Sequence, residues 1–180
     1  MAVSARRGTP LTIEEIRSAT LRMIQAGGVE ALSMRKLAAE LDVNPMSLYH
    51  HVANKTALIK EVCVANLADL DLPAADLPWQ DQVRALAHAY RTLVRRYPAL
   101  WRYILNHPEI IEDRRGPLWD ILFRILPMAG VAESEHERMT GILYGFVTGI
   151  LLVETLGHIA QNAAEDSFDA AVEIIIRGIS

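Results

Sequence analysis

The chain has 180 residues, of which 51% are hydrophobic and 22% are charged, and its formal net charge is −4. The length and the apolar content exclude a disordered chain and allow one large domain or two small ones. The single cysteine, Cys63, excludes an internal disulfide framework and a zinc site built on paired thiolates, which fits a reducing compartment.

The charge is unevenly distributed along the chain. Residues 1–60 contain eight Lys and Arg against five Asp and Glu, whereas the remaining residues contain ten against seventeen. This asymmetry favours a nucleic-acid contact that is confined to the basic end. No signal peptide is visible, and the most apolar run, residues 141–157, contains Glu154 and is short for a membrane span. We therefore expect a cytoplasmic protein without a membrane partner.

The first two predicted elements are helices with recognisable ends. Thr12 followed by Glu15 predicts a capping box at the start of the first helix, and Gly27 and Gly28 predict its end. Ser33 then caps a second helix with the sequence MRKLAAEL, which is only about two turns long.

A third helix opens a few residues after the second closes. Asn44 is a capping residue, and Pro45 suits the first helical position. Asn54 caps the fourth helix, KTALIKEVCVANLADL. The second and third helices, joined by a tight turn, therefore predict a helix-turn-helix.

The rest of the chain shows helical patterning with Pro and Gly between the segments. The loop DLDLPAADLP ends the fourth helix, and Ser134 with Glu137 predicts a second capping box. The further segments are WQDQVRALAHAYRTLVRR, PALWRYILNH, RGPLWDILFRILPMAG, SEHERMTGILYGFVTGILLVETLGHIAQN and SFDAAVEIIIRGI. We predict an all-α chain of about nine helices, with a DNA-binding head over residues 1–62 and a helical body over residues 63–180.

The third helix carries side chains suited to DNA. Leu48 and Val52 anchor it inward, and a helix that enters the major groove needs its other side free. Lys55 and the outward Tyr and His side chains are phosphate donors, while short or apolar side chains can lie against base edges. The outward residues are Pro45, Met46, Ser47, Tyr49, His50 and His51. Adjacent histidines point about 100° apart on a helix, so a metal held by this pair alone is not expected.

The stretch GGVEALSMRKLAAELDVNPMSLYHHVANKTALIKEV resembles the DNA-binding head of TetR-family transcriptional regulators over about residues 13–62. The pattern L-Y-x-H-V-x-N-K-x-A-L carries this resemblance, and it is similar to that of the tetracycline-repressor branch. The resemblance implies an all-helical homodimer that binds a palindromic operator in double-stranded DNA and releases it when a small molecule enters the body. One departure is Asp42, which stands where relatives usually have glycine in the turn; we expect the turn to form with some strain.

The resemblance also implies roles for individual residues of the head. The base-facing positions would be Arg35, Met46, Ser47 and His50, and the phosphate-facing positions would be Ser33, Tyr49, His51 and Lys55.

In the body, aromatic side chains at helical spacing are usually core, but the resemblance favours an effector cavity among them. The candidate pocket residues are Trp101, Ile104, His107, Trp119, Phe123 and Tyr144. The effector itself is unknown. His107, His136 and His158 lack metal-ligand spacing, so we expect neither a metal site nor a cofactor.

Gly141, Gly145 and Gly149 recur every four residues and predict a stripe that another helix can approach closely. The approaching partner could be a helix of the same chain, or the stripe could form a wall of the cavity. The resemblance places a homodimer interface on the last two helices, with the candidates Ile150, Val153, Leu156, Ile174 and Ile175.

The sequence thus predicts a homodimeric DNA-binding transcriptional regulator, a repressor released by a small-molecule inducer. One alternative is a DNA-binding adaptor without a ligand, which a cavity filled by its own aromatic side chains would favour. The other is a small helical enzyme. Against this alternative, the sequence lacks a Gly-rich phosphate loop, a nucleophile elbow and metal-ligand spacing, so no catalytic residues are predicted.

Overall fold

The computed structural model describes residues 10–111, 116–160 and 162–179. Within these ranges the chain is all-α, as predicted, and no strand is present. The α-helices are α1 (Ile13–Ala31), α2 (Met34–Glu40), α3 (Pro45–Tyr49), α4 (Lys55–Ala68), α5 (Trp79–Arg96), α6 (Pro98–Leu105), α7 (Pro117–Met128), α8 (His136–Thr155) and α9 (Ala164–Ile179). Two short 3₁₀ turns, Pro108–Ile110 and Glu133–Glu135, precede α7 and α8.

The ends of α1 follow the sequence signals. The Thr12 hydroxyl accepts a hydrogen bond from the Glu15 backbone N–H at 3.2 Å, and the Glu15 carboxylate accepts one from the Thr12 N–H at 3.0 Å. This reciprocal pair satisfies two donors that the first turn of a helix leaves open. Gly28, with φ 76° and ψ 172°, interrupts the helical backbone close to the predicted end. Only glycine adopts this conformation without strain.

The predicted second capping box, Ser134 with Glu137, is wrong. Ser134 lies inside the 3₁₀ turn Glu133–Glu135, and α8 begins at His136 with no side-chain cap on its N-cap residue, Glu135. Arg138 instead forms an ion pair with Glu135 across the start of the helix.

The chain divides into two compact units. The first contains the described residues of Met1–Asn66 and Tyr97–Asp113, and therefore α1–α3, α6 and most of α4. Its core includes the fully buried side chains of Ile16, Leu37, Leu48, Leu58 and Leu100. The predicted head is one continuous segment, whereas this unit also includes α6, which packs against α1.

The second unit contains the described residues of Leu67–Arg96 and Arg114–Ser180, and therefore α5, α7, α8 and α9. Its buried side chains come from all four helices and include Leu86, Ile125, Leu151 and Phe168. α5 packs against each of the other three helices.

A buried arginine ties three of these helices together. Arg91 of α5 is 2% exposed, and its guanidinium lies 3.1 Å from a Glu154 oxygen and 2.9 Å from a Glu165 oxygen. It also donates to the Ala164 carbonyl at 2.8 Å and lies 4.5 Å from the centre of the Phe168 ring. This charged side chain therefore links the end of α8 and the start of α9 to α5.

Cys63 of α4 is fully buried, and burial raises the pKa of its thiol to about 12. A buried, protonated thiol behaves as a small apolar side chain.

None of the described helices combines the length and the apolarity that a bilayer span requires.

Candidate nucleic-acid interface and cavity

The turn between α2 and α3 is built around Asp42, whose φ is 52°. The structure thus has a left-handed residue at the position where TetR-family relatives usually have glycine. The turn is closed by backbone hydrogen bonds from the Asp42 N–H to the Ala39 carbonyl at 3.2 Å and from the Val43 N–H to the Ala38 carbonyl at 3.0 Å. An L-residue with a side chain bears strain in this conformation, although Asp tolerates it better than most.

α3 has only five residues, and its position is fixed at both ends. The Asn44 side chain accepts a hydrogen bond from the Met46 N–H at 2.9 Å, and Pro45 occupies the first turn. Leu48 is 0% exposed and Val52 is 7% exposed, so these two side chains hold the helix on the core of its unit. A helix this short is stable only through such packing.

The other side of α3 is uncovered within its unit. Met46 is 61% exposed and Tyr49 is 45% exposed, which is unusual for large apolar and aromatic side chains. Pro45, His50 and His51 are also exposed, Ser47 is half-buried, and Arg35 is exposed on α2. The outward residues predicted on α3 and just after it are therefore accessible, Ser47 only in part, and we call this set the α3 face: Pro45, Met46, Ser47, Tyr49, His50 and His51.

Two of the predicted phosphate-facing residues already make hydrogen bonds within the chain. The Ser33 hydroxyl accepts from the Lys36 N–H at 3.2 Å and caps α2. The Lys55 ammonium is part-buried and donates to the Val29 carbonyl at 2.6 Å. An ammonium has three donors, so Lys55 retains donors for a phosphate, but its first role here is to satisfy the carboxyl end of α1.

The second unit contains a partly open cavity of about 40 Å³. Its wall comes from α5, α7, α8 and α9: Val83, Leu86, Ala87, Tyr90, Leu118, Leu122, Leu143, Tyr144, Val147 and Ile175. Of the six predicted pocket residues, only Tyr144 belongs to this wall. The Trp119 ring is buried and lies 4.9 Å from the Tyr144 ring, whereas Phe123 is 43% exposed.

The other three predicted pocket residues lie in the first unit. Trp101 and Ile104 are buried core residues there. His107 is half-buried, its ring stacks on Tyr103 at 4.0 Å, and its Nδ1 lies 3.1 Å from a Glu109 carboxylate oxygen. None of these three lines the cavity of the second unit.

Sequence reasoning missed most of the cavity wall, because it followed aromatic residues. The wall is mainly aliphatic, and the signal for it was the apolar stripe of α5, where Val83, Leu86, Ala87 and Tyr90 recur at helical spacing. Such a stripe indicates the inward side of a helix but does not reveal where the packing is incomplete.

The last two helices leave apolar residues uncovered within the second unit. Within α8, every exposed residue between Met139 and Thr155 is Ile, Gly, Phe or Val. On α9, Ile174 is 54% exposed. We call this the α8–α9 stripe: Ile142, Gly145, Phe146, Gly149, Val153, Leu156 and Ile174.

The glycines of the α8–α9 stripe face open space. A Cβ added at Gly145 or Gly149 would have no neighbouring atom within 4 Å. Neither explanation offered from the sequence therefore accounts for these two glycines, since no described helix comes within 4 Å of a Cβ placed there and they do not line the cavity. Of the predicted interface residues, Val153, Leu156 and Ile174 are exposed and Ile150 is half-buried, but Ile175 is buried and faces the cavity.

Among the described residues, His88, Glu165 and Asp169 bring three potential metal-ligand atoms within 4.8 Å of one another. These groups already pair within the chain, because His88 Nε2 lies 3.1 Å from Asp169 and Glu165 lies 2.9 Å from the Arg91 guanidinium. The positive charge of Arg91 opposes a cation at this place. We therefore assign the three side chains to the ion-pair network of α5 and α9.

Comparison with known proteins adds to this geometry. Residues 16–62 match the profile of the family described as "Bacterial regulatory proteins, tetR family". The HTH-type transcriptional repressor DrrR1 of Streptomyces coeruleorubidus is 30% identical over 141 residues, which cover 77% of this chain and 52% of that protein. The class D tetracycline repressor protein of Escherichia coli is 38% identical over 90 residues, which cover 48% of this chain and 41% of the repressor. The chain thus spans about half the length of these relatives.

Solved structures show the same fold. The crystal structure of Mycobacterium smegmatis BioQ superposes with a TM-score of 0.80 at 23% identity, covering 94% of this chain and 98% of BioQ. A structure of BioQ with its natural double-stranded DNA operator gives a TM-score of 0.71 at 22% identity, covering 93% of this chain and 99% of that one. The profile match coincides with the segment that builds the helix-turn-helix, and the chain belongs to the tetR family of bacterial regulatory proteins.

Proposed function

We propose that the protein is a homodimeric transcriptional repressor that binds a palindromic operator and releases it when a small-molecule effector enters the body. The observation that carries this proposal is the α3 face, a short helix anchored by Leu48 and Val52 whose remaining side chains are uncovered. The relatives support it, since DrrR1 is a transcriptional repressor and BioQ has been solved with its operator. Membership of a family of regulators argues against the enzyme alternative.

The α3 face suits the major groove. Arg35, Met46, Ser47 and His50 offer a mixture of donors and apolar surface to base edges, while Tyr49 and His51 offer donors to phosphates. Ser33 and Lys55 are proposed as further phosphate contacts, although both also bond within the chain. Base contacts provide sequence preference and phosphate contacts provide most of the salt-dependent affinity.

A second copy of the chain is the proposed partner of the α8–α9 stripe. A row of exposed apolar side chains interrupted by glycines is costly to leave in water and allows close approach of another helix. A twofold arrangement would place the same stripe on both sides of the contact, which is the commonest solution for oligomers. In this interface Ile174 takes part, whereas Ile175 remains in the core of its own unit.

Release follows from the geometry of a dimer on DNA. Two heads that read successive major-groove faces must lie about 34–36 Å apart, or a multiple of that distance. α4 is the segment that carries the chain from the head into the body, so a change of its tilt would alter the separation of the heads. An effector shifts the operator equilibrium only as far as it prefers the released conformation.

The test is a selection of DNA fragments by the purified protein, followed by titration of the best site at two salt concentrations. We expect a palindromic site, and we expect Tyr49→Ala to weaken it about tenfold, because a stacking and phosphate-donating side chain is removed from the α3 face. His158→Ala, a substitution of another exposed side chain outside that face, serves as the control. Failure to select any fragment at either salt concentration would refute the repressor proposal.

One observation keeps the adaptor alternative in view. At about 40 Å³ the cavity is much smaller than the roughly 300–1,000 Å³ of ordinary small-molecule pockets. A chain that binds DNA but accepts no small molecule in this cavity would be an adaptor, in which the body serves only to dimerise or to hold another protein. Measuring small-molecule binding to this cavity together with operator affinity separates the two.

A further inference from the structure

The cavity of the second unit has an unusually uniform wall. Among the described residues that line it, none is Asp, Glu, Lys, Arg or His, and eight of the ten are aliphatic. The two exceptions are Tyr90 and Tyr144, whose rings contribute apolar area together with a hydroxyl. A ligand placed there would therefore meet hydrocarbon on every helix that forms the wall.

Three arginines on the same helices bond to groups outside the cavity wall. Arg84 of α5 makes a bidentate ion pair with Glu173 of α9, at 2.6 and 3.0 Å. Two turns further along, Arg91 is held by Glu154 and Glu165. On α7, Arg124 donates to the Gln82 side-chain oxygen at 2.8 Å. A negatively charged ligand in the cavity would find no cation in the wall to replace its hydration.

Two aromatic rings line the cavity, and a third ring packs against one of them. The rings of Tyr90 and Tyr144 are 6.1 Å apart, and the ring of Trp119, which does not line the cavity, lies 4.9 Å from that of Tyr144. Offset or tilted contacts at these distances are the ones that aromatic rings prefer. A ligand that carries a ring would extend this row.

We propose that the effector is an uncharged, largely apolar molecule that contains an aromatic ring, and that the cavity discriminates against ionised ligands of the same shape. This rests on the proposed function, since it names the class of molecule that the sensor accepts. The physical reason is desolvation: a neutral ring loses little on entering the cavity, whereas a carboxylate or an ammonium loses its water without gaining a charged partner.

The volume of the cavity adds a mechanical consequence. An engineered apolar cavity of about 150 Å³ is known to bind benzene, so a cavity of about 40 Å³ must widen before it holds a ring. The ligand therefore binds preferentially to a state in which α5, α7, α8 and α9 stand further apart. A preference of this kind is what an effector needs in order to shift an equilibrium.

The experiment uses the full chain and three probes with the same ring: toluene, benzoate and benzylammonium. Binding is followed by the methyl NMR signals of the Leu and Val side chains in the wall, which include Leu122 and Val147. We expect toluene to shift these signals and to bind about 100-fold more tightly than either ion, because burial of an unpaired charge is the main difference. Equal or tighter binding of benzoate would overturn the proposal, and so would absence of any toluene shift.

Two substitutions locate the binding. Ala87→Leu places a larger side chain in the wall and is expected to abolish the toluene shifts, while Ala89→Leu, on the same helix but outside the wall, should leave them intact. Leu122→Ala enlarges the cavity and should tighten toluene binding without helping benzoate, so a loss of binding in Ala87→Leu through misfolding cannot mimic the full result. If Leu122→Ala leaves toluene affinity unchanged, the ligand lies elsewhere and the proposal fails.

The same samples distinguish this inference from the proposed function. Operator affinity is measured in the absence of any probe, and it tests the repressor alone. Operator binding together with equal affinity for all three probes would refute the ligand class and retain the repressor. Selective toluene binding without any operator would refute the repressor and leave an apolar binding site.

Discussion

α3 in the first unit and α8 in the second each leave one side uncovered, but the two uncovered sides differ in chemistry. The α3 face mixes Tyr, Ser and two His residues with Met and Pro, whereas every exposed residue in the middle of α8 is aliphatic, aromatic or glycine. A polar face with hydrogen-bond donors suits a hydrated polyanion, and an apolar face with glycines suits another apolar helix surface. The chemistry of an uncovered helix side therefore indicates the kind of partner that covers it.

The largest expected effect comes from reversing the chemistry of the α8–α9 stripe. Phe146→Asp would place a carboxylate of each copy in an apolar contact, at a cost of about 3 kcal/mol or more. We expect dimerisation to weaken about 100-fold or more, measured by sedimentation equilibrium, with operator affinity falling in parallel. Thr92→Asp, an added charge at an exposed position of α5, is the matched control. Unchanged dimerisation of Phe146→Asp would show that the stripe is covered by something other than a second copy.

A comparably large effect concerns the support of that stripe rather than its surface. Arg91→Ala removes the buried partner of the part-buried Glu154 and should destabilise the second unit by about 3 kcal/mol, measured by urea unfolding. Arg95→Ala removes a contact to the same carboxylate from a side chain that is 47% exposed, and should cost about 1 kcal/mol or less. Equal losses from the two substitutions would contradict the importance of burial for Arg91.

The α3 face should respond to an added charge in a different way. Met46→Glu puts a carboxylate where DNA phosphates approach, so we expect operator affinity to fall about tenfold at low salt and by less at high salt. Dimerisation should not change, in contrast to Phe146→Asp. Val64→Glu, at an exposed apolar position of α4, is the control for a new charge. A loss of operator affinity that does not depend on salt would point to misplacement of α3 rather than to repulsion.

The smallest effect, and the only stabilising one, is expected in the turn that positions α3. Asp42→Gly relieves a left-handed conformation at φ 52° and should stabilise the first unit by about 1 kcal/mol or less, since the more flexible unfolded chain offsets part of the gain. Asp42→Ala should not stabilise, because alanine keeps the Cβ that causes the strain. Thermal unfolding of the three proteins side by side measures the order.

The head was largely predictable because its signals are local. Thr12, Ser33 and Asn44 each act on a backbone N–H two or three residues away, so the sequence displays both partners of the hydrogen bond. Leu48 and Val52 were recognisable as anchors because helical spacing separates them from the polar residues of the α3 face. The local rule failed at Ser134, where a 3₁₀ turn precedes α8 and takes over the start of the helix.

The second unit was less predictable because its decisive contacts join distant residues. Arg91 and Glu154 are 63 residues apart, and nothing in the local pattern of α5 distinguishes a buried arginine from an exposed one. The cavity is likewise a shortfall of packing among four helices, which no single helix displays. The predicted pocket included Trp101 and Ile104, whose burial in the first unit depends on the packing of α6 against α1.

The buried thiol of Cys63 can report how often α4 opens transiently. Because this side chain is fully enclosed and its pKa is raised to about 12, a thiol-directed reagent at neutral pH reacts with it only when α4 opens. The labelling rate then measures the free energy of that opening, in the way that hydrogen exchange measures it for amides. Binding to the operator should make the opening of α4 rarer. The labelling rate of Cys63 would then also report whether the chain is bound to DNA.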